Sequence, residues 1–377
     1  MSDWVHAEAA RIARRAEREL DALVAVSSPS GDVHGADEAV AICIALLPDQ
    51  AEIERLPCST DGYAADLLAR VRGTGTGRVL LLGHVDTVVG HDAHRRLERD
   101  GDRLVGSGTV DMKGGVVLAL GLLDSLAGRP DCFQEVALLL VTDEEWRVGA
   151  LHHAARFEGF DACLCFEAGQ GGPNGEEGVV VKRKAAATLR VSATGVSAHS
   201  GSAPDRGRNA LLALASAAQS VAALHDPRGP DRLTVVPTMI NSGEAFNVVP
   251  PSGELYCDMR AEGVAAFDAV RDAVPREVGG AALEPAIVRL WPGMDARAAT
   301  AALLERATGV LGRPVVGVER GGASDASHVA AVVPVTVDGL GPRGGGAHSP
   351  NEFVLTETLH SRAEVALALA SALLKIG

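Results

Sequence analysis

Acidic side chains and histidines stand where short apolar segments of this sequence end, and such residues can hold metal ions or move protons. Five places share this arrangement: Gly83–Thr87, Gly106–Gly115, Thr142–Trp146, Glu167 and Ala347–Pro350. Together they supply imidazole nitrogens and carboxylate oxygens, the donor atoms that divalent zinc accepts in proteins. The set therefore predicts a site for divalent cations, although no single member of it does.

Each place alone leaves a structural alternative open. His84 and Asp86 fall on the same side of an extended segment, which also suits a structural hydrogen-bonded pair. Asp111 stands where a glycine-rich loop meets an apolar helix, a position that also suits an N-cap. The acids 143–145 suit a solvated loop, although adjacent carboxylates repel one another without a cation. His348 alone suits a polar surface group.

A two-metal site would use the whole set. Two ions about 3.5–4 Å apart, sharing one carboxylate, hold a water or hydroxide and polarise a carbonyl group. One further acid must stay unligated to act as the general base. The neighbouring Glu144 and Glu145 can divide these duties, with Glu144 taking the proton and Glu145 holding a metal.

The elements that position these residues alternate between strands and helices. All-apolar runs at 79–82, 136–141 and 162–166 predict strands buried in a parallel sheet. Helices are predicted over 1–26 and 111–126, with a further one ending near residue 47. Strands that alternate with helices predict an open α/β sheet, in which ligands bind beyond the carboxyl ends of the strands.

The pattern changes near residue 182 and changes back after Pro292. Between these points the order is strand, helix, strand, strand, helix, strand, which suits a small two-layer domain. The prediction is a split α/β domain with a mixed, mostly parallel sheet flanked by helices, plus an inserted two-layer α+β domain. Its boundaries are 1–181 and 292–377 for the split domain and 182–291 for the inserted one.

Composition argues against several classes of partner. The chain has 35 basic and 49 acidic residues, a formal net charge of −14, whereas nucleic-acid binding relies on basic patches. No segment approaches the roughly 18 apolar residues of a membrane-spanning helix. The N-terminus lacks the apolar core of a signal peptide, and the six cysteines form no Cys-x-x-Cys pair. We expect a cytoplasmic protein that binds neither nucleic acid nor membrane.

Several motifs make the sequence resemble one known family over nearly its whole length: GHVDTV, GSGTVDMKGG, TDEE, GVSAHSG and GGGAHSPNE. This is the dizinc metallopeptidase and amidohydrolase family of glutamate carboxypeptidase, acetylornithine deacetylase and succinyl-diaminopimelate desuccinylase. The sequence is most similar to the glutamate carboxypeptidase branch. The resemblance implies two Zn²⁺ per chain, with Co²⁺ as a substitute, and a homodimer formed through the inserted lid and dimerisation domain.

The resemblance also assigns metal ligands, which are His84, Asp111, Glu145, Glu167 and His348. In this assignment Asp111 bridges both metals, Glu167 shares one metal with His84, and His348 completes the other site. Asp86 orients His84, and Glu144 is the catalytic base.

The inserted domain matches the family in three further residues. His199, in the GVSAHSG motif, corresponds to a histidine that stabilises the tetrahedral oxyanion, often across a dimer interface. Asn247 and Arg260 match positions that bind a substrate carboxylate. For Arg260, a strand-end salt bridge remains the alternative.

The predicted activity is metal-dependent cleavage of an amide or peptide bond next to a free carboxylate, in a small peptide or N-acyl amino acid. One alternative is an N-acyl-amino-acid deacylase that uses the same metals. The other is a catalytically silent protein that binds an amino-acid derivative. After the DEE motif the family commonly continues with glycine and a small hydroxyl residue, whereas Trp146 and Arg147 follow here. We therefore expect the loop that lines the substrate pocket to differ.

Overall fold

The computed structural model describes residues 2–376. The α-helices within this range are α1 Asp3–Val24, α2 Val33–Ala45, α3 Gly114–Ala127, α4 Ala210–Ala222, α5 Ala265–Asp272, α6 Arg297–Leu311, α7 Asp325–Val329 and α8 Thr356–Leu374. Over these residues, none of the helices combines the length and the apolar character needed to span a membrane.

The strands are β1 Glu52–Leu56, β2 Asp66–Arg72, β3 Arg78–His84, β4 Glu98–Asp100, β5 Arg103–Val105, β6 Glu135–Val141, β7 Ala162–Cys165, β8 Gln170–Gly171, β9 Glu177–Arg183, β10 Ala185–Thr194, β11 Thr234–Ser242, β12 Ser252–Ala261, β13 Glu277–Val278, β14 Ala281–Trp291, β15 Met294–Asp295, β16 Val315–Arg320, β17 Thr336–Val337, β18 Gly344–Gly345 and β19 Phe353–Leu355. The chain divides into two compact units. The first comprises Met1–Lys182, Met294–Arg320 and Ser324–Gly377, and the second Arg183–Gly293 with Gly321–Ala323.

A six-stranded sheet forms the centre of the first unit, in the order β1-β2-β6-β3-β7-β17. Strands β6, β3, β7 and β17 run parallel, whereas β1 and β2 add two antiparallel pairings at one side. This is the mixed, mostly parallel sheet that the alternation of strands and helices predicted. Smaller sheets, β15-β9-β16 and β18-β19-β5-β4, belong to the same unit.

Helices cover both faces of this sheet, which explains why its central strands are apolar throughout. Along β3, Val79 and Leu81 pack into one core cluster, together with apolar residues of α1, α3 and α8. Leu80 and Leu82 point into a second cluster on the opposite face, which α7 covers. Successive side chains of a strand point to opposite faces of the sheet. Because both faces are covered, all of these side chains are buried, and apolar residues are favoured along the whole strand.

The helix predicted to begin at Asp111 begins instead at Gly114. Asp111 has φ −128° and ψ 89°, so it lies outside the helix and is not its N-cap. The backbone N–H groups of Val110 and Asp111 instead donate to the side chain of Glu352. Gly115 permits close approach to the end of β7, because a Cβ there would lie 1.8 Å from the carbonyl oxygen of Phe166.

The second unit is a two-layer α+β structure. Its antiparallel sheet has the order β11-β12-β10-β14-β13. Apolar side chains of α4 and α5, such as Leu214 and Phe267, share a core cluster with Leu189 of β10 and Cys257 of β12. Asn209 caps α4 by accepting a hydrogen bond from the backbone N–H of Leu212 at 3.1 Å.

Candidate active site

Three neighbouring parallel strands bring acids and a histidine to one edge of the central sheet. His84 is the last residue of β3, which lies between β6 and β7. Glu144 and Glu145 follow the end of β6, and Glu167 follows the end of β7. Since β6, β3 and β7 are parallel, their carboxyl ends lie at the same edge, where open α/β sheets bind ligands.

Asp111 lies between two histidines and turns one carboxylate oxygen toward each. Its Oδ1 is 3.3 Å from Nε2 of His84, and its Oδ2 is 3.1 Å from Nε2 of His348. His84 is buried, whereas His348 comes from the loop before β19 and is 56% exposed. One carboxylate that faces two imidazoles is the arrangement required for a bridging ligand.

Two further acids complete a donor group around each histidine. Nε2 of His84 is 3.7 Å from Oε1 of Glu167, and Nε2 of His348 is 3.3 Å from Oε2 of Glu145. Donor atoms of His84, Asp111 and Glu145 all lie within 4.8 Å of one another. The structure therefore brings together all five residues that the sequence singled out as candidate ligands.

The electrostatics of this group fit bound cations. Burial, reinforced by repulsion from Asp111, raises the pKa of Glu167 well above its usual value. Burial likewise raises the pKa of Glu145 to about 8, against the hydrogen bond from His348. Oε1 of Glu145 is buried and has no hydrogen-bond partner within residues 2–376. Clustered, buried carboxylates with an unpartnered oxygen are costly unless a cation compensates them, and the N/O donor set suits zinc.

Asp86 connects His84 to the loop that carries the two glutamates. Its side chain lies 3.3 Å from Nδ1 of His84 and accepts the backbone N–H groups of Glu144 at 3.2 Å and Glu145 at 3.1 Å. Burial opposes ionisation of Asp86, but these hydrogen bonds and the nearby imidazole keep its pKa below the usual value. The backbone carbonyl oxygen of Asp86 lies 3.0 Å from the same Nδ1. Asp86 thus holds Nε2 of His84 toward Asp111, and its carboxylate fixes the start of the loop after β6, residues 142–147, which we call the glutamate loop.

Glu352 is a functional candidate that sequence reasoning missed. Its buried carboxylate accepts the backbone N–H groups of Gly108, Val110 and Asp111 at 3.0, 2.7 and 2.8 Å. It thereby holds the segment that presents Asp111. The available signal was its place in the motif GGGAHSPNE, four residues after His348.

The two residues after the DEE motif lie in opposite environments. Trp146 is 56% exposed, whereas the guanidinium of Arg147 is buried. Nη1 of Arg147 donates to Asp143 at 2.8 Å, and its Nη2 pairs with Asp325 of α7. Arg147 therefore connects the glutamate loop to helix α7, a role that its position in the sequence did not suggest.

His199 and Asn247 lie on two neighbouring loops of the second unit. The loops are joined by hydrogen bonds from Ser200 N to the carbonyl oxygen of Asn247 at 3.0 Å and from Val249 N to that of Ala198 at 2.9 Å. Nδ1 of His199 accepts the backbone N–H groups of Gly201 and Ser202 at 3.1 and 3.2 Å. In the neutral imidazole, Nε2 then carries the proton and is left as a donor.

Arg260 forms an ion pair within its own strand. Its Nη2 is 2.9 Å and its Nε 3.1 Å from the two carboxylate oxygens of Asp258. The strand-end salt bridge, named from the sequence as the alternative to substrate binding, is thus the arrangement present here.

Comparison with known proteins gives three findings. Residues 80–372 match the family model described as peptidase family M20/M25/M40. The chain is 26% identical over 367 residues to carboxypeptidase G2 of Pseudomonas sp. (strain RS-16), covering 93% of this chain and 87% of that protein. It is 29% identical over 190 residues to a LysW-lysine/LysW-ornithine hydrolase of Saccharolobus solfataricus, covering 49% of each.

The fold also resembles a solved structure. It superimposes on the M20 family metallo-carboxypeptidase Sso-CP2 of Sulfolobus solfataricus with a TM-score of 0.75 at 15% identity, covering 96% of this chain and 99% of the other. At this identity the likeness shows the fold, and the extensive coverage shows that both units belong to it.

Proposed function

The chain belongs to peptidase family M20/M25/M40, and from this premise we propose that it is a dizinc hydrolase that cleaves an amide or peptide bond next to a free carboxylate. The family is one of peptidases, its relatives include a carboxypeptidase, and the fold is shared with a metallo-carboxypeptidase, which supports metal-dependent hydrolysis of an amide or peptide bond. The observation that carries the finer proposal is Asp111, which directs one oxygen to His84 and the other to His348. The substrate is a small peptide or an N-acyl amino acid.

Two sets of side chains would hold the metal ions. His84 and Glu167 would bind one ion, His348 and Glu145 the other, and Asp111 would be shared. When bound, two such ions polarise the substrate carbonyl and make water more acidic. Zn²⁺ fits this donor set of imidazoles and carboxylates, and Co²⁺ is a substitute.

Glu144 is the proposed general base. Its side chain is buried, and burial raises its pKa, which favours a carboxylate that accepts a proton. It takes a proton from water as the water oxygen bonds to the carbonyl carbon. When the carbon–nitrogen bond breaks, Glu144 returns that proton to the leaving nitrogen. Asp86 supports this step by holding the backbone N–H of Glu144 at 3.2 Å.

His199 is the proposed donor to the developing oxyanion. The two backbone N–H groups on its Nδ1 leave Nε2–H as a donor, the form that such a role requires. Asn247 and Arg260 are the proposed ligands of the substrate carboxylate. Arg260 would exchange Asp258 for the substrate, since one planar guanidinium can pair with either carboxylate.

The second unit carries the proposed homodimer interface. Strand β11 is an edge strand with exposed Val236, Met239 and Ile240, which are 44–49% exposed. The adjoining helix α4 exposes Leu211 and Leu212. An apolar sheet edge is a liability that proteins normally cover, and a second copy of this unit would cover it. A cytoplasmic location remains part of the proposal, in line with six free cysteines.

The decisive experiment is a hydrolysis screen of the zinc- or cobalt-loaded protein against dipeptides and N-acyl amino acids. Each substrate is paired with its C-terminal amide, which lacks the free carboxylate. We expect Glu144→Gln to lower turnover by about 10²–10⁴-fold, the typical contribution of a positioned general base. The matched control is Glu98→Gln, whose carboxylate lies exposed on β4, and it should leave turnover unchanged.

The pattern of products separates the alternatives. Preference for acyl groups over peptidyl groups would identify a deacylase, and binding without hydrolysis would identify a silent binding protein. Retained turnover in Glu144→Gln, with unchanged metal content, would refute the proposed base. Equal cleavage of the amidated substrates would refute the requirement for a free carboxylate.

A further inference from the structure

Three metal-ligating side chains meet on the helices that begin and end the first unit, apart from the candidate active site. His6 lies near the start of α1, and His360 and Glu364 lie one turn apart on α8. One donor atom from each of the three lies within 4.8 Å of the others. Nδ1 of His6 is 3.7 Å from Oε1 of Glu364, and the two imidazole rings are 6.2 Å apart at their centroids.

Glu364 holds its carboxylate in a defined orientation. Its side chain is 7% exposed, and its Oε2 accepts a hydrogen bond from Nη2 of Arg313 at 2.8 Å. This bond leaves Oε1 facing His6. The Arg313 charge is shared with Glu177, whose Oε1 lies 3.2 Å from the same nitrogen, so Glu364 is not its sole counter-ion.

The imidazoles of His6 and His360 are available to a ligand. Within residues 2–376, neither ring takes part in a hydrogen bond. The two rings pack edge to face, and Nδ1 of His6 lies near the carboxylate of Glu364. Residues four apart on a helix share one face, so His360 and Glu364 present their donors side by side. Two imidazole nitrogens and one carboxylate oxygen are a donor set that zinc accepts, with water as a fourth ligand.

We propose that His6, His360 and Glu364 bind a divalent transition-metal ion and that this ion joins α1 to α8. Zn²⁺ is the ion used to test the proposal. These helices pack against each other in the folded first unit, but their residues lie near opposite ends of the sequence. The complete site therefore exists only in the folded chain, and metal bound there stabilises the folded state. The site is structural and independent of the proposed catalysis.

The test compares zinc content in matched variants of the full chain. Protein stripped with a chelator is reloaded with Zn²⁺, freed of excess metal, and analysed by elemental mass spectrometry. We expect His6→Ala and His360→Ala each to hold about one equivalent less than the unsubstituted protein, and the double variant to lose no more than either. His6 is 63% exposed, so its removal leaves the core intact.

A natural control lies on α2. His34 and Glu38 form a similar pair four residues apart, with Nε2 of His34 3.4 Å from Oε1 of Glu38, but they belong to no three-residue donor cluster among the described residues. His34→Ala should leave zinc content unchanged. Equal zinc content in the unsubstituted protein and His360→Ala would overturn the proposal, as would an equal loss in His34→Ala.

Thermal unfolding gives a second readout. Zinc should raise the Tm of the unsubstituted protein more than that of His360→Ala, and the same Zn²⁺-dependent rise in both would contradict the proposal. Zinc at the catalytic centre is common to both proteins, so it cancels from the comparison. A failure of the dizinc assignment would change the total zinc content but not this difference.

Discussion

At the scale of single residues, the buried carboxylates around the candidate active site differ in what balances their negative charge. Asp86 and Glu352 each accept several N–H donors and hold the backbone around the candidate active site. Burial raises the pKa of Glu352 to about 7, but hydrogen bonds from the backbone satisfy its oxygens. Glu145 and Glu167 face histidines and other acids, burial raises their pKa values, and Oε1 of Glu145 has no hydrogen-bond partner within residues 2–376. The first pair organises the site without a cation, whereas the second pair calls for one.

The buried side chain of Asp66 contacts the start of the glutamate loop, and it predicts how the stability of the protein depends on pH. Its Oδ1 accepts the backbone N–H of Thr142 at 3.1 Å. Burial, and then the charge of Asp143, raise its pKa to about 7, although Arg147 acts in the opposite direction. Cys58 lies in the same cluster, and Nε2 of His153 is 3.7 Å from Oδ2 of Asp66.

The sign of the effect follows from proton binding. An unfolded aspartate has a pKa of about 3.9, so between about pH 4 and pH 7 the folded chain binds this proton and the unfolded chain does not. The Asp66 contribution to the free energy of unfolding therefore falls as pH rises through this window, by a few kcal/mol in total. Asp66→Asn keeps the acceptor for Thr142 but has no proton to lose.

Urea unfolding at two pH values checks this prediction. At pH 4.5 the free energies of unfolding of Asp66→Asn and of the unsubstituted protein should be similar. At pH 8 Asp66→Asn should have the higher free energy of unfolding. Asp49→Asn, at an exposed aspartate, should show no such dependence. A stability difference for Asp66→Asn that is the same at both pH values would show that burial does not raise this pKa.

At the scale of elements, the glutamate loop depends on a buried ion network. Arg147 joins Asp143, within the loop, to Asp325 at the start of α7. Removal of one partner from such a network leaves uncompensated buried charge and typically costs about 3–5 kcal/mol. We expect Arg147→Ala to lose stability of this order and to turn over more slowly, because the loop carries Glu144.

The measurement combines chemical denaturation with steady-state kinetics at a temperature where the variant is folded. A displaced base should lower kcat more than it changes KM, and Arg147→Lys should retain part of the activity because it keeps the charge. Arg156→Ala, at a partly exposed ion pair with Glu54, is the control and should change little. Full stability of Arg147→Ala would be inconsistent with the network.

At the scale of the whole molecule, the proposed dimer predicts complementation between inactive variants. If His199 acts across the interface, a mixed dimer of His199→Ala and Glu144→Gln contains one site with both native residues. Random exchange of subunits would restore about one quarter of the native sites, since half the dimers are mixed and each has one complete site.

Initial rates before and after subunit exchange provide the check. A rise well above the sum of the separate variants supports action across the interface. Differently tagged subunits show whether exchange has taken place. If exchange occurs and activity does not rise, His199 acts at the site of its own chain, together with Glu144 of that chain. Met239→Asp on the exposed edge of β11 should weaken the interface and reduce the population of dimers, so less activity should be restored when both inactive variants carry it.

Local pattern was sufficient to predict the central sheet and to select candidate ligands. Strands β3, β6 and β7 are apolar along almost their whole length, which is the pattern of strands that are buried on both faces. His84 ends β3 and Glu144 follows β6 closely. Because the carboxyl ends of neighbouring parallel strands lie side by side, the proximity of these two residues could be predicted from the sequence. The family motifs then assigned roles that pattern alone left open.

The sequence by itself thus determined the fold class and the types of donor available at the sheet edge, because both depend on periodicity and on short segments. Only the tertiary structure decided how those donors are held. Glu352 binds the segment that carries Asp111, Arg147 reaches Asp325 on another element, and His6 meets Glu364. These partners lie far apart along the chain, and folding alone brings them within the short range of hydrogen bonds and ion pairs.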